Sequence, residues 1–175
     1  MNTALASAVA LGGVGFGVNS YAASSTATAT ATVIAPIAIT NARDLVFGSF
    51  ARGAGGSVTV STSGVRTASG PILSTIGATP AAAKFDVTGD GVSTYSISFT
   101  GTGTTLASTI TPADTMAFAP ASDLSAGGAT TANVSSGTLT SGAQSIYVGG
   151  VLTVGATQVA HTDYAGSIAV AVEYN

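Results

Sequence analysis

Alternation with a period of two residues constrains the fold of this chain more than any other feature. In the stretch TATATATV, residues 26–33, threonine alternates with alanine and valine. Such a pattern places the two residue classes on opposite faces of an extended strand. Beyond the N-terminal stretch, no window of a dozen residues combines helical spacing with good helix formers and caps. The sequence therefore predicts an all-β protein.

Short runs of β-branched and aromatic residues, bounded by Gly, Asp, Pro or Ser, predict the further strands. They are Ser57–Ser61, Phe85–Thr88, Tyr95–Thr100, Ser145–Val148, Val151–Val154 and Tyr164–Tyr174. Strands at this spacing, joined by Gly-rich turns, are typical of an antiparallel β-sandwich. The large apolar residues of these strands should form its core, and we expect Phe47 and Ile97 to be buried in it.

The N-terminal residues predict export. From Ala4 to Val18 the chain is uncharged and, apart from Ser7, apolar or glycine. Ser20 and Ala22 are small residues at the positions that signal peptidase reads, so residues 1–22 are predicted to be a signal peptide. A membrane anchor is the alternative, although 15 residues rich in Gly and Ala are short for a span. We expect passage through the periplasm to the cell surface, with membrane contact only through the leader.

Charge and cysteine usage exclude several kinds of protein. Four basic and seven acidic residues give a net charge of −3, so the chain lacks the basic surface that nucleic-acid binding requires. Cysteine is absent, which excludes disulfides, thiol catalysis and thiolate metal sites.

Two polar clusters are the candidates for chemistry, and neither is convincing. His161 and Asp163 would share one face of a strand and form a triad with a serine, but a loop histidine beside a turn aspartate is the better interpretation. Asp86 and Asp90, in FDVTGDG, are similar to a calcium loop without its remaining ligands, so we expect a hairpin turn there. The sequence predicts no catalytic, cofactor or metal site and no enzymatic activity.

Two segments carry a resemblance to known proteins. Thr26–Gly48 (TATATATVIAPIAITNARDLVFG) resembles the start of an uncharacterised class of exported bacterial β-domains. The close, VGGVLTVGATQVAHTDYAGSIAVAVEYN, is similar to their ending and to that of chaperone-usher fimbrial subunits, especially the archaic, spore-coat-U-like class. In those subunits a final alternating strand ends at a penultimate aromatic residue, which corresponds to Tyr174 here.

The fimbrial resemblance implies an immunoglobulin-like sandwich that lacks its last strand. Its groove would be filled by a chaperone and then by the N-terminal extension of the next subunit, a form of β-strand addition. Residues 23–35 would be that extension and residues 36–175 the sandwich. The residues that enter the groove would be Ala27, Ala29, Ala31 and Val33. The acceptor groove and edge would comprise Ile37, Ile39, Phe47, Ile168, Val170, Val172 and Tyr174.

The function that this resemblance implies is structural. The chain would be a fibre subunit supporting adhesion or biofilm formation, with identical subunits, a periplasmic chaperone and an outer-membrane usher as its partners. Two alternatives remain open from the residues. Residues 23–35 could be the first strand of a closed sandwich, and the protein could be a non-fibrous exported binding module or surface-layer component.

Overall fold

The computed structural model describes residues 21–100 and 103–175, and this part of the chain contains thirteen β-strands and no helix. The predicted signal peptide lies outside the described residues except for Tyr21 and Ala22. The strands are β1 Ala38–Arg43, β2 Phe50–Ala51, β3 Gly56–Val60, β4 Arg66–Ser69, β5 Ile72–Leu73, β6 Ala83–Thr88, β7 Thr94–Ser98, β8 Thr105–Ser108, β9 Thr115–Asp123, β10 Ser136–Thr138, β11 Ala143–Val154, β12 Tyr164–Ala165 and β13 Ala171–Tyr174.

All strand pairs are antiparallel, and the chain is an all-β protein with the sandwich arrangement that the sequence predicted. The largest sheet has the order β1-β6-β11-β9-β8-β12, with β3 paired to β11 and β4 to β3. A three-stranded sheet has the order β10-β7-β13, and β2 pairs with β5. The chain divides into two units: residues 1–33, whose described part contains no strand, and residues 34–175, which contain all thirteen.

Strand β11 is the centre of the large sheet. The sequence predicted two strands separated by Gly149 and Gly150, and this is wrong, because one strand of 12 residues runs through both glycines. Its first half pairs with β6 and its second half with β3, while β9 follows its other edge. A Cβ on Gly149 would collide with the Val60 carbonyl oxygen, and one on Gly150 with the Phe118 ring. Glycine here permits close approach of neighbouring chains and does not end the strand.

The core consists of two hydrophobic clusters that β11 connects. The first contains Phe47, Val58, Val60, Met116, Phe118, Leu152 and Val154. The second contains Ala83, Val87, Tyr95, Ile97, Leu139, Ile146 and Val148. The predicted burial of Phe47 and Ile97 is confirmed, since they are 8% and 5% exposed. The two residues lie in different clusters.

The C-terminal segment differs from its prediction as a single strand from Tyr164 to Tyr174. It forms β12, which pairs with β8 in the large sheet, and β13, which pairs with β7 in the three-stranded sheet. Residues 166–170 belong to neither strand, because the chain passes there from one sheet to the other. Burial alternates only from Val170 to Tyr174, where Val170, Val172 and Tyr174 are half-buried and Ala171 and Glu173 are exposed; Ile168 and Tyr164 are also half-buried.

Candidate functional site

A row of half-buried apolar side chains follows the line where two sheet edges meet. β1 stands at one end of the large sheet, β13 stands at one end of the three-stranded sheet, and the two strands are in contact. The row packs against the second core cluster and consists of Ile37, Ile39, Phe85, Phe99, Ile168, Val170, Val172 and Tyr174. We call it the groove. Because its side chains are only half-buried, the groove leaves apolar surface in contact with water.

Along one wall of the groove, main-chain groups of β13 point to an edge that no other strand of the described residues covers. Asn175 N–H donates to the Thr94 carbonyl at 3.2 Å, whereas Ile97 N–H donates to Ser135 on the opposite side of β7. Successive residues of an antiparallel strand direct their main-chain groups to opposite sides. Val172 and Tyr174 therefore direct theirs away from β7, towards an edge with which no strand in the described residues pairs.

Tyr174 closes one end of the groove. Its hydroxyl donates to the Ala35 carbonyl at 2.9 Å and accepts a hydrogen bond from the Asp90 N–H at 2.6 Å. These bonds fasten the end of β13 to the residues before β1 and to the β6–β7 connection. A Cβ on Gly89 would overlap the Tyr174 hydroxyl, so a larger residue there would require the Tyr174 side chain to move.

The other end of the groove opens into a space of about 340 Å³, which we call the cleft. Its lining combines apolar side chains with polar groups and comprises Leu45, Phe47, Ala83, Phe85, Leu106, Phe118, Tyr164–Ile168 and, at one end, Asn41 and Asp44. Ile168 and Phe85 belong to both the groove and the cleft.

Of the seven predicted acceptor residues, six lie together in the groove and one does not. Ile37 and Ile39 come from the β1 side, and Ile168, Val170, Val172 and Tyr174 come from the C-terminal segment. Phe47 is buried in the first cluster, where its ring meets Phe118 edge-to-face at 6.0 Å, and it reaches only the cleft. Phe47 follows the end of β1 by four residues, so the chain has left the groove at that position.

Sequence reasoning did not assign Phe85 and Phe99 to the groove, although it expected both in the core. Phe85 reaches it because β6 pairs with β1, with Phe85 opposite Asn41. That pairing links residues 44 positions apart, and no local pattern in the sequence indicates it.

The four predicted inward residues of the extension are exposed. Residues 21–37 form no strand, and residues 21–36 are all exposed to solvent, including Ala27, Ala29, Ala31 and Val33. Val33 is 96% exposed, which is unusual for a large apolar side chain. The Thr/Ala alternation therefore has no pairing partner within the described part of the single chain.

The His161–Asp163 pair does not form a triad. His161 Nε2 lies 2.7 Å from Asp114 Oδ2, whereas the Asp163 carboxylate accepts bonds from Ser108 Oγ, Thr109 Oγ1 and the Ile110 N–H. The bond from the Thr109 hydroxyl is the main cause that lowers the Asp163 pKa to about 2, and the bonds from Ile110 and Ser108 add to it. Both side chains fasten the β8–β9 loop to the segment before β12, which is a structural role.

The expected hairpin at Asp86 and Asp90 is wrong. Asp86 lies within β6, where hydrogen bonds from Lys84 and Ser145 lower the pKa of its carboxyl. Asp90 lies in the connection from β6 to β7, which joins two different sheets and so is not a hairpin. Within residues 21–100 and 103–175, no three His, Cys, Asp or Glu side chains are grouped to hold a metal ion. In the same residues, no helix is long and apolar enough to cross a membrane.

Comparison with known proteins gives one family. No curated protein and no solved structure matches the chain. One family model, described as a domain of unknown function, DUF4402, matches residues 37–174, which is nearly the whole of the strand-containing unit. The match begins at the first residue of the groove and ends at the last. The chain is therefore a member of the DUF4402 family.

Proposed function

We propose that this chain is the structural subunit of a surface fibre, in which residues 23–35 of one copy complete the sandwich of the next. One observation carries the proposal: residues 21–100 and 103–175 contain both a sheet edge without a pairing strand, beside an apolar groove, and an exposed segment that has strand alternation and forms no strand. Each feature supplies what the other lacks. The process is donor-strand exchange, a case of β-strand addition.

The extension has the properties that such a strand requires. It carries no charged residue from Ala23 to Ala35, and Ala27, Ala29, Ala31 and Val33 alternate with threonines. At about 3.3 Å per residue, residues 24–35 reach about 40 Å, and the groove from Ile168 to Tyr174 spans about 20 Å. The extension is therefore long enough to fill the groove. Small side chains would enter the groove while the threonines face water.

Filling the groove would provide two kinds of stabilisation. The outward main-chain groups of Val172 and Tyr174 would gain hydrogen-bond partners, and the half-buried groove residues would lose contact with water. Burial of apolar surface contributes roughly 25 cal/mol per Å². An open edge of this kind otherwise favours aggregation. A periplasmic chaperone that covers the groove before assembly, and an outer-membrane usher that exchanges it for the extension, would fit this need.

The proposal includes export and excludes catalysis. Cleavage after Ala22 would free the extension, and assembly would place the fibre at the cell surface, where it would support adhesion or biofilm formation. The proposed function uses no cofactor, and its partners are identical subunits together with the chaperone and the usher.

A pair of aspartate variants tests the proposal. Ala29→Asp places a carboxylate on the inward face of the extension, and Thr30→Asp places the same charge on the outward face. A buried, unpaired carboxylate costs several kcal/mol, whereas an exposed one costs little. In cells that produce the chain, Ala29→Asp should remove the SDS-resistant multimers from sheared surface material, and Thr30→Asp should retain them.

Deletion of residues 23–32 provides the second arm of the test. The shortened chain should be exported and should form no multimers. If the intact chain forms no SDS-resistant multimers, and the shortened chain remains a stable monomer, the fibre proposal is refuted. The exported binding module or surface-layer component would then be the better interpretation. Negative-stain microscopy of the sheared material would distinguish fibres from amorphous aggregates.

A further inference from the structure

The groove and the extension are both uneven in size, and this determines how they fit. Along the inward face of the extension, Ala27, Ala29 and Ala31 are small and Val33 is large. Beside Ile168 the groove meets the cleft of about 340 Å³, and the rest of the groove is lined by large apolar side chains. Interiors are close-packed, so a small side chain belongs where the walls are crowded and a large one where they are not.

We propose that residues 27–33 of a second copy fill the groove antiparallel to β13, with Val33 entering the cleft beside Ile168 and Ala27 lying beside Tyr174. This rests on the proposed function and adds the direction, the register and the source of the strand. Tyr174 follows Ile168 by six positions and Val33 follows Ala27 by six positions, so both ends match at once. Ala29 then lies opposite Val172, and Ala31 opposite Val170.

The main chain agrees with this register. The groups of Val172 and Tyr174 that point to the free edge would form hydrogen-bonded pairs with Ala29 and Ala27. Directly opposite residues of an antiparallel pair share a face of the sheet. Ala29 therefore points into the groove with Val172, while Thr28 and Thr30 point outwards beside Glu173 and Ala171, which are already exposed.

The same geometry disfavours insertion of a chain's own extension. Ala35 is held at the Tyr174 end of the groove by the bond between its carbonyl and the Tyr174 hydroxyl, at 2.9 Å. Val33 precedes Ala35 by two residues, so an extension that folded back on its own groove would keep Val33 near Tyr174. It would run parallel to β13 and would bring alanine, about 20 Å further along, to the cleft. A second copy is free of this constraint.

Introduced cysteines test the direction, because the chain has no cysteine of its own. Thr28 and Glu173 would be a non-hydrogen-bonded pair, whose Cα atoms lie about 4.5 Å apart, within disulfide range. The double variant Thr28→Cys/Glu173→Cys should therefore form multimers that survive boiling in SDS and separate only after reduction. In the matched variant Thr32→Cys/Glu173→Cys, the two residues would be about 13 Å apart in this register and should remain unlinked.

Alanine substitutions test the residue in the cleft. Val33→Ala should make the multimers dissociate in SDS at least about tenfold faster, since it removes apolar surface from the cleft. Ile34→Ala, one residue away on the outward face, should change the rate by less than about twofold.

The outcomes distinguish an error in this inference from an error in the proposed function. Multimers that link through Thr32→Cys/Glu173→Cys, or that weaken with Ile34→Ala and not with Val33→Ala, would overturn the register while donor-strand exchange stands. A disulfide within one chain in either variant would overturn donation by a second copy. Absence of SDS-resistant multimers from the unsubstituted chain would refute the proposed function itself.

Discussion

Tyr95→Phe should stabilise this protein, although it removes a polar group from the centre of a strand. Tyr95 is fully buried in the second cluster, and its hydroxyl has no hydrogen-bond partner within the described residues. Burial raises the pKa of this hydroxyl, so it is neutral at ordinary pH. Gly137 lies directly opposite on β10, and a Cβ there would overlap the Tyr95 ring, so the hydroxyl cannot easily move to a partner.

The magnitude follows from two opposing contributions. A buried hydroxyl without a partner costs about 1–3 kcal/mol relative to an apolar group of similar shape. Removing one oxygen leaves a small void, and at about 24 cal/mol per Å³ this costs roughly 0.3 kcal/mol. Tyr95→Phe should therefore raise the free energy of unfolding by about 1–2 kcal/mol, which corresponds to an increase in Tm of about 2–8 °C.

Tyr174 provides a matched control, because it lies directly opposite Tyr95 on β13. Its hydroxyl bonds to both Ala35 and Asp90, so Tyr174→Phe should lower the free energy of unfolding by about 1–3 kcal/mol. Urea denaturation and thermal melts of the two variants measure both effects. If Tyr95→Phe is destabilising by more than about 0.5 kcal/mol, the Tyr95 hydroxyl has a partner and the reasoning is refuted.

Three further predictions concern the core, the glycines and acid stability. Ile146→Ala, at a fully buried position, should cost about 2–5 kcal/mol in urea denaturation, whereas Ile110→Ala, at an exposed one, should change stability by less than about 0.5 kcal/mol; equal effects would contradict the assigned core. Gly150→Ala should cost about 1–3 kcal/mol, because its Cβ would lie 2.5 Å from the Ala119 carbonyl oxygen, and Gly155→Ala, with no atom nearer than 3.7 Å, should be tolerated. The hydrogen-bonded Asp163 carboxyl, with its pKa lowered to about 2 from 3.8, stabilises the fold above about pH 4 and loses this contribution as the pH falls towards 2. Asp163→Asn should therefore show a smaller fall in Tm between pH 4 and pH 2, and parallel curves for the two proteins would contradict this role.

The residue pattern alone was sufficient to predict the all-β class and about half of the strands, but not the nine-residue β9. β-branched and aromatic residues alternate over short runs, and this local preference survives folding, so β3, β6 and β7 begin and end within one or two residues of their predicted limits. Burial of Phe47 and Ile97 followed for the same reason. The uncharged character of the extension also followed from composition, whereas its alternation predicted a strand that the single chain does not form.

The tertiary structure alone determines which strands pair and where each residue lies in the sheets. Gly149 and Gly150 read locally as a break, yet they lie inside β11, because strands β3 and β9 pass too close for a side chain. The single alternating run at the C-terminus is divided between two sheets, since it crosses between the two layers at residues 166–170. Pairing between residues far apart in sequence determines both the continuity of β11 and the division of the C-terminal run.

In the groove, too, local sequence and long-range pairing determine different features. The alternating residues from Ile168 to Tyr174 predicted an apolar face, but its open edge exists only because β13 ends one sheet and β1 ends the other. Phe85 joins the groove through the pairing of β6 with β1, and Phe47 is carried past it into the first cluster. Local sequence determines which side chains can share a face of one strand. Long-range pairing determines which faces and edges remain uncovered, because it depends on the positions of all the strands at once.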